Sequence, residues 1–213
     1  MARVKILLAD DHTLFCNLLC QFLEPEYEVV GSVSDGRELL RATETLRPDV
    51  VLVDIGMPFL NGLDAGRRLK ETNSKVKVIY LTMNNDVEYA REALQAGASA
   101  FVLKNSQSSH ILQAIRDALH GLTYVAPEIR QAMSEVFIRD PKALDRPKHL
   151  TDRQREVLQM LAEGRSMKEI STSLQISYRT VRFHKVRMMQ ELGITKNAEL
   201  VKYAMKHGIT QSV

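Results

Sequence analysis

Val50-Val51-Leu52-Val53-Asp54-Ile55-Gly56-Met57-Pro58-Phe59-Leu60-Asn61-Gly62 is the stretch that decides how this chain folds. Four apolar residues run without alternation and stop at an acid, the pattern of a strand buried on both faces of a parallel sheet. Ile6-Leu7-Leu8-Ala9 repeats the pattern and stops at Asp10-Asp11. Val78-Ile79-Tyr80-Leu81 stops at Thr82, and Ala100-Phe101-Val102-Leu103 stops at Lys104. In an open α/β sheet, ligands collect beyond the carboxyl ends of the strands, where strand order reverses. Three acids, a hydroxyl and an ammonium delivered to that edge predict a charged crevice.

Working outward, strands are expected near residues 4–9, 28–33, 50–54, 77–82 and 100–103. Helices are expected near 13–23, 35–45, 62–72, 86–96 and 107–120. Such alternation predicts right-handed βαβ units and a doubly wound, five-stranded parallel sheet. Gly97 and Gly121 follow the fourth and fifth helices as natural C-terminal stops. Cys16 and Cys20 share one face of the first helix and read as small core-facing residues. No second cysteine pair or histidine cluster completes a zinc site.

Three neighbouring carboxylates repel one another unless a cation neutralises them. Oxygen donors of this kind suit Mg²⁺, and a carboxylate can act as nucleophile toward phosphorus. The stretch from Asp54 to Gly62 is similar to the Asp-x-x-Met-Pro-x-x-x-Gly loop of the receiver domain of two-component response regulators. That resemblance, over roughly residues 3 to 122, implies a flavodoxin-like fold and a receiver domain spanning 1–122. It implies that Asp10, Asp11, Asp54 and the Gly56 backbone carbonyl hold Mg²⁺. It implies that Asp54 accepts a phosphoryl group from a histidine kinase, that Lys104 contacts the phosphate and that the Thr82 hydroxyl follows it. Phe101 takes the family's aromatic switch position, expected to rotate inward when Thr82 moves. Met83 departs from the usual small residue there and is expected to narrow access to Asp54.

Charge divides the chain. Residues 1–125 hold 13 Lys+Arg against 16 Asp+Glu, and residues 126–213 hold 16 against 10, so the halves carry −3 and +6. A basic second half suits a polyanion. Pro127, Pro141 and Pro147 and dense charge mark 123–147 as a linker. Within it a short helix is expected, with Ile129, Met133, Val136 and Phe137 as its apolar stripe. Beyond it, Thr151, Ser166 and Ser177 cap three helices, and a last helix runs from about Asn197 to His207, stopping at Gly208. Short helix, tight turn and longer helix suggest helix-turn-helix.

Leu150-Thr151-Asp152-Arg153-Gln154-Arg155-Glu156-Val157-Leu158 resembles the opening of LuxR-type DNA-binding domains, and Thr180-Val181-Arg182-Phe183-His184 resembles a later landmark. The resemblance implies a DNA-binding domain over 148–213 and a response regulator of the NarL/FixJ type. On the Tyr178–Leu192 helix, Val181, Met188 and Leu192 form the expected inward stripe. Arg179, Arg182, Phe183 and Val186 form a second face suited to base edges. Tyr178, Thr180, Lys185 and Arg187 are better placed for phosphates. Ala198, Val201 and Met205 offer a narrow stripe that the resemblance favours as a homodimer contact.

No apolar run approaches the roughly 20 residues of a membrane helix, and no signal peptide precedes the first strand, which points to the cytoplasm. The favoured expectation is a DNA-binding transcriptional regulator controlled by phosphorylation, not an enzyme. One rival is a constitutive DNA-binding regulator with a receiver that no longer switches. Another is an aspartyl-phosphate phosphohydrolase, against which Gly56 stands where such enzymes carry a second acid.

Overall fold

The computed structural model of the protein describes residues 3–83, 87–139, 150–207 and 209–210. The first part alternates β1 (Lys5–Ala9), α1 (Thr13–Leu23), β2 (Glu28–Val33), α2 (Gly36–Leu46), β3 (Val50–Asp54) and α3 (Gly62–Thr72). It continues through β4 (Lys77–Thr82), α4 (Val87–Gln95), β5 (Ala100–Leu103), α5 (Ser108–Leu119), β6 (Tyr124–Val125) and α6 (Pro127–Arg139). Strand order is β2-β1-β3-β4-β5-β6, with every pairing parallel. Order reverses at β1, so the edge beyond β1 and β3 is the crevice expected of a doubly wound sheet.

Six strands replace the expected five. The sixth, Tyr124–Val125, pairs with Ala100 and Phe101, and at two residues it is too short to show a periodicity. The expected linker therefore begins as part of the sheet. In α6, Ile129 is fully buried in the receiver-side core and Met133 packs against it; the Phe137 side chain and residues 140–149 lie outside the described residues. So do the expected start of α4 at residue 86 and the stop at Gly208.

Two apolar clusters sandwich the sheet. Leu7, Val51, Val53 and Val78 face α2, α3 and α4, while Ile6, Leu8, Leu52 and Ile79 face α1 and α5. Capping sets the helix starts. The Asp35 carboxylate accepts from the Arg37 and Glu38 amides at 2.7 and 2.9 Å, and Asn61 accepts from the Asp64 amide at 2.9 Å. Gly62 is required by close approach: a β-carbon there would fall 2.0 Å from the Asp54 carbonyl oxygen.

The second part is helical: α7 (Asp152–Ala162), α8 (Met167–Leu174), α9 (Tyr178–Glu191) and α10 (Asn197–Lys206). Thr151 and Ser166 close capping boxes on α7 and α8, and Ser177 accepts from the Thr180 amide. Leu158, Ile170, Val181, Met188, Leu200 and Ala204 form a separate core. No described helix is long and apolar enough to cross a membrane.

Candidate functional site

The fold delivers Asp10, Asp54 and Lys104 to one point. Asp54 has no solvent exposure and Asp10 has 6%. Lys104 Nζ lies 2.6 Å from Asp10 Oδ2 and 3.0 Å from Asp54 Oδ2. The Lys104 amide donates to the Thr82 carbonyl at 2.8 Å, and its ammonium sits 5.0 Å from the centroid of the Phe15 ring. Phe15 therefore helps hold the cation in place. Burial raises the Asp54 pKa above the usual carboxylate range; Lys104 opposes that rise and Asp10 adds to it. The Gly56 amide faces the same carboxylate without the geometry of a good hydrogen bond, and Asp54 Oδ1 is left buried without a hydrogen-bond partner.

Asp11 and His12 complete the rim. Ligand atoms of Asp10, Asp11, His12 and Asp54 all lie within 4.8 Å of one another. A donor set of three carboxylates with an unpartnered buried oxygen fits a hard divalent cation, since Lys104 alone leaves the cluster net negative. Mg²⁺ is accordingly expected to raise the melting temperature, and Asp11→Asn to remove most of that rise, because a ligand of the native state stabilises by mass action. Thermal melts of both proteins across a Mg²⁺ titration check this, and an equal response in the variant contradicts it.

Other expected positions are placed less decisively. Thr82 is buried, 1% exposed, at the end of β4, paired across to Leu103. Phe101 is already fully buried, opposite Tyr80, so the inward position expected of a switch is occupied here. Met83 is 63% exposed, one residue beyond the end of β4. Gly56 lies in the turn after β3.

On α9 the two faces separate as the helix phase requires. Val181 and Met188 are fully buried, while Arg179, Arg182, Phe183, Val186 and Arg187 are exposed, as is Tyr178. Thr180 and Lys185 are half-buried. Phe183 at 55% and Val186 at 44% exposure, flanked by arginines, leave an apolar and cationic surface that nothing in the chain covers among the described residues. Such a surface suits a major groove, where Arg pairs with guanine and apolar groups meet the thymine methyl. Of the α10 stripe, Ala198 and Met205 are exposed and Val201 is half-buried, whereas Leu200 and Ala204 close the core.

Sequence reasoning missed a set of residues joining the two parts. The loop after Asp54 is the surface on which α7 sits. The Asn61 amide donates to Gln159 Oε1 at 2.9 Å, and Gln159 Nε2 donates to the Met57 carbonyl at 2.9 Å. Phe59 adopts φ +64°, an unusual conformation for a bulky residue. Its ring lies between Arg165 at 4.2 Å and Arg37 at 5.9 Å, and Arg37 Nη1 donates to the Ser173 carbonyl at 3.1 Å. Arg155, 2% exposed, pairs with Asp64 at 3.0 Å and Glu92 at 2.9 Å. Arg67 bridges Asp64 and Asp152, Arg68 pairs with Glu156, and the Tyr89 hydroxyl donates to the Met205 carbonyl at 3.2 Å. One signal was legible: the polar run Gln154-Arg155-Glu156 on a short helix is dense for a core element, and all three residues are buried.

Comparison with known proteins matches both parts. Residues 6–116 match the response regulator receiver domain, and residues 148–204 match the bacterial regulatory proteins of the luxR family. The transcriptional regulatory protein DegU of Brevibacillus brevis is 31% identical over 224 residues, covering 97% of this chain and 94% of DegU. The oxygen regulatory protein NreC of Staphylococcus carnosus is 33% identical over 211 residues, covering 95% of this chain and 97% of NreC. A structure of the response regulator RcsB from Salmonella typhimurium superposes with a TM-score of 0.67 at 24% identity. It covers 97% of this chain and 99% of RcsB, a likeness that speaks to the fold.

Proposed function

The chain belongs to the DNA-binding response regulators, transcriptional regulators built from a receiver domain and a LuxR-type helix-turn-helix domain, and from that premise we propose that phosphoryl transfer to Asp54 controls its DNA binding. The receiver spans 1–122, with β6 added to its sheet and Ile129 of α6 to its core, and the DNA-binding domain spans 148–213. A histidine kinase supplies the phosphoryl group, Asp54 is the nucleophile, and Asp10, Asp11 and the Gly56 carbonyl hold Mg²⁺ beside it. Bound there, Mg²⁺ would neutralise charge on the transferring phosphoryl group. Lys104 must leave the Asp10–Asp54 pair for Asp54 to be reached, since the carboxylate is fully covered. Once the phosphoryl is in place, Lys104 and the Thr82 hydroxyl turn toward its oxygens.

The observation that carries this reading is the seat of α7 on the Met57–Asn61 loop, which begins three residues after Asp54. A phosphoaspartate carries about −1.5 to −2 charges where the carboxylate carried one, and it brings three acceptor oxygens to the root of that loop. The loop that contacts Gln159 and Glu163 shifts as the new group draws Lys104 and Thr82 to it. Undocking frees the end of α10 from Tyr89, and a second copy can then approach the Ala198–Val201–Met205 stripe, which is already largely exposed, so the active form is a homodimer on double-stranded DNA. This reading is tested by small-angle scattering of the full chain before and after treatment with acetyl phosphate. Expansion is expected, and an unchanged radius of gyration in fully phosphorylated protein contradicts it.

Base reading and phosphate anchoring fall on different residues. Arg182→Ala is expected to cost about 1–3 kcal/mol on the preferred site and to relax preference at one base position. Lys185→Ala is expected to weaken all sequences alike and to lower the salt slope by about one. Competition binding against single-base variants at several salt concentrations separates the two. Equal weakening of every sequence by Arg182→Ala would move the recognition face elsewhere on α9.

A further inference from the structure

We infer that His12 gives the acid cluster a nitrogen donor, so that the site holds first-row transition cations such as Ni²⁺ and Co²⁺ more tightly than Mg²⁺. The inference rests on the reading that the cluster takes a divalent cation. His12 Nδ1 lies 3.1 Å from Asp11 Oδ1 and 3.2 Å from Asp10 Oδ1. In an octahedral shell with donors about 2.1 Å from the ion, adjacent donors stand about 3.0 Å apart and opposite ones about 4.2 Å. His12 Nδ1 thus stands at about the spacing of a neighbouring ligand from each acid, and the whole set, within 4.8 Å, needs only a small contraction to close an octahedral shell.

Contacts of Nδ1 with the two acids hold the ring at the rim, and a cation bound there would take the place of the Nδ1 proton. His12 occupies the N-cap position of α1, yet its side chain makes no capping hydrogen bond. Its amide donates to Asp10 Oδ1 at 2.9 Å, which ties the residue to the carboxylate. Lys104 takes Oδ2 of both Asp10 and Asp54, which leaves Asp54 Oδ1, fully buried and without a hydrogen-bond partner, for a cation. The imidazole itself is 61% exposed at the rim, so it can close over an ion arriving from solvent.

The chemistry then sets the selectivity. Mg²⁺ prefers oxygen and keeps its waters, so an imidazole adds little to its binding. Ni²⁺ and Co²⁺ favour nitrogen and stand above Mn²⁺ in the divalent affinity order. One histidine in the ligand set therefore widens the gap between transition cations and Mg²⁺.

Calorimetric titration of the full chain with NiCl₂ and, separately, MgCl₂ tests this on wild type and His12→Gln. The substitution is expected to weaken Ni²⁺ binding about tenfold or more while moving Mg²⁺ binding less than about twofold. Excess Mg²⁺ is expected to displace Ni²⁺ from the wild type. Unchanged Ni²⁺ affinity in the variant, or Ni²⁺ that Mg²⁺ cannot displace, overturns the inference while leaving the Mg²⁺ site intact. Failure of Mg²⁺ to bind the wild type would remove both. Should the variant not fold, electron spin echo spectroscopy of Mn²⁺-loaded wild type takes its place. Nitrogen modulation from a bound imidazole is expected, and its absence overturns the inference.

Discussion

Replacing Arg155 with alanine is expected to open the molecule. Arg155 is one of the most deeply buried charges in the chain, held between Asp64 on α3 and Glu92 on α4. Burial alone would lower its pKa, but the two carboxylates more than reverse that, and the guanidinium stays charged. Breaking a buried ion pair by removing one partner costs about 3–5 kcal/mol, because the remaining charges are stranded. Here Asp64 keeps Arg67 as a partner and water can reach both carboxylates if the DNA-binding domain lifts away, so the loss appears in the docking equilibrium rather than in folding. A shift of about 3 kcal/mol changes the ratio of docked to open molecules by more than about a hundredfold. Arg155→Ala should therefore expand the particle and raise DNA affinity without phosphorylation, while each core melts nearly as before. Arg155→Lys should not restore docking, since a point charge cannot reach two carboxylates as a planar fork does. Unchanged dimensions in Arg155→Ala would mean that the remaining contacts suffice.

Asp54→Asn is expected to abolish phosphoryl incorporation from acetyl phosphate or a kinase, because an amide is no nucleophile toward phosphorus. Acid-stable label persisting in the variant would point to a serine or threonine instead. The same substitution has a stability consequence with a definite sign. A carboxyl with a raised native pKa binds its proton more readily folded than unfolded. Between the unfolded and native pKa values the native state then holds more protons, so stability falls as pH rises through that window. In the metal-free protein this fall should be present in wild type and reduced in Asp54→Asn. Thermal melts over the acidic range, with chelator present, measure it.

Much of the fold could be read from the chain because its elements are locally determined. Continuous apolar runs ending in Asp10, Asp54, Thr82 and Lys104 marked four of the strands, and the caps at Asp35, Thr151, Ser166 and Ser177 marked helix starts that depend only on neighbouring residues. The crevice was legible for the same reason, since a parallel sheet carries every strand end to one edge. What escaped was whatever depends on a distant partner. Tyr124–Val125 is too short to carry a period and becomes a strand only because β5 offers its edge. Beyond the polar run around Arg155, nothing local marks it or Gln159 as buried by Asp64, Glu92 and Asn61, residues about 60 to 100 positions away. Nothing in the sequence marks His12, whose ring the turn after β1 brings to Asp11 and Asp10.

DNA affinity of the full chain, measured with Mg²⁺ before and after phosphorylation by a small phosphodonor, tests the central claim most directly. Phosphorylation of the wild type is expected to raise affinity at least about tenfold, the span of a typical coupling between two sites, with no response in Asp54→Asn. Equal affinity for the unmodified and fully phosphorylated protein would contradict the account and leave a DNA-binding regulator whose receiver does not govern it.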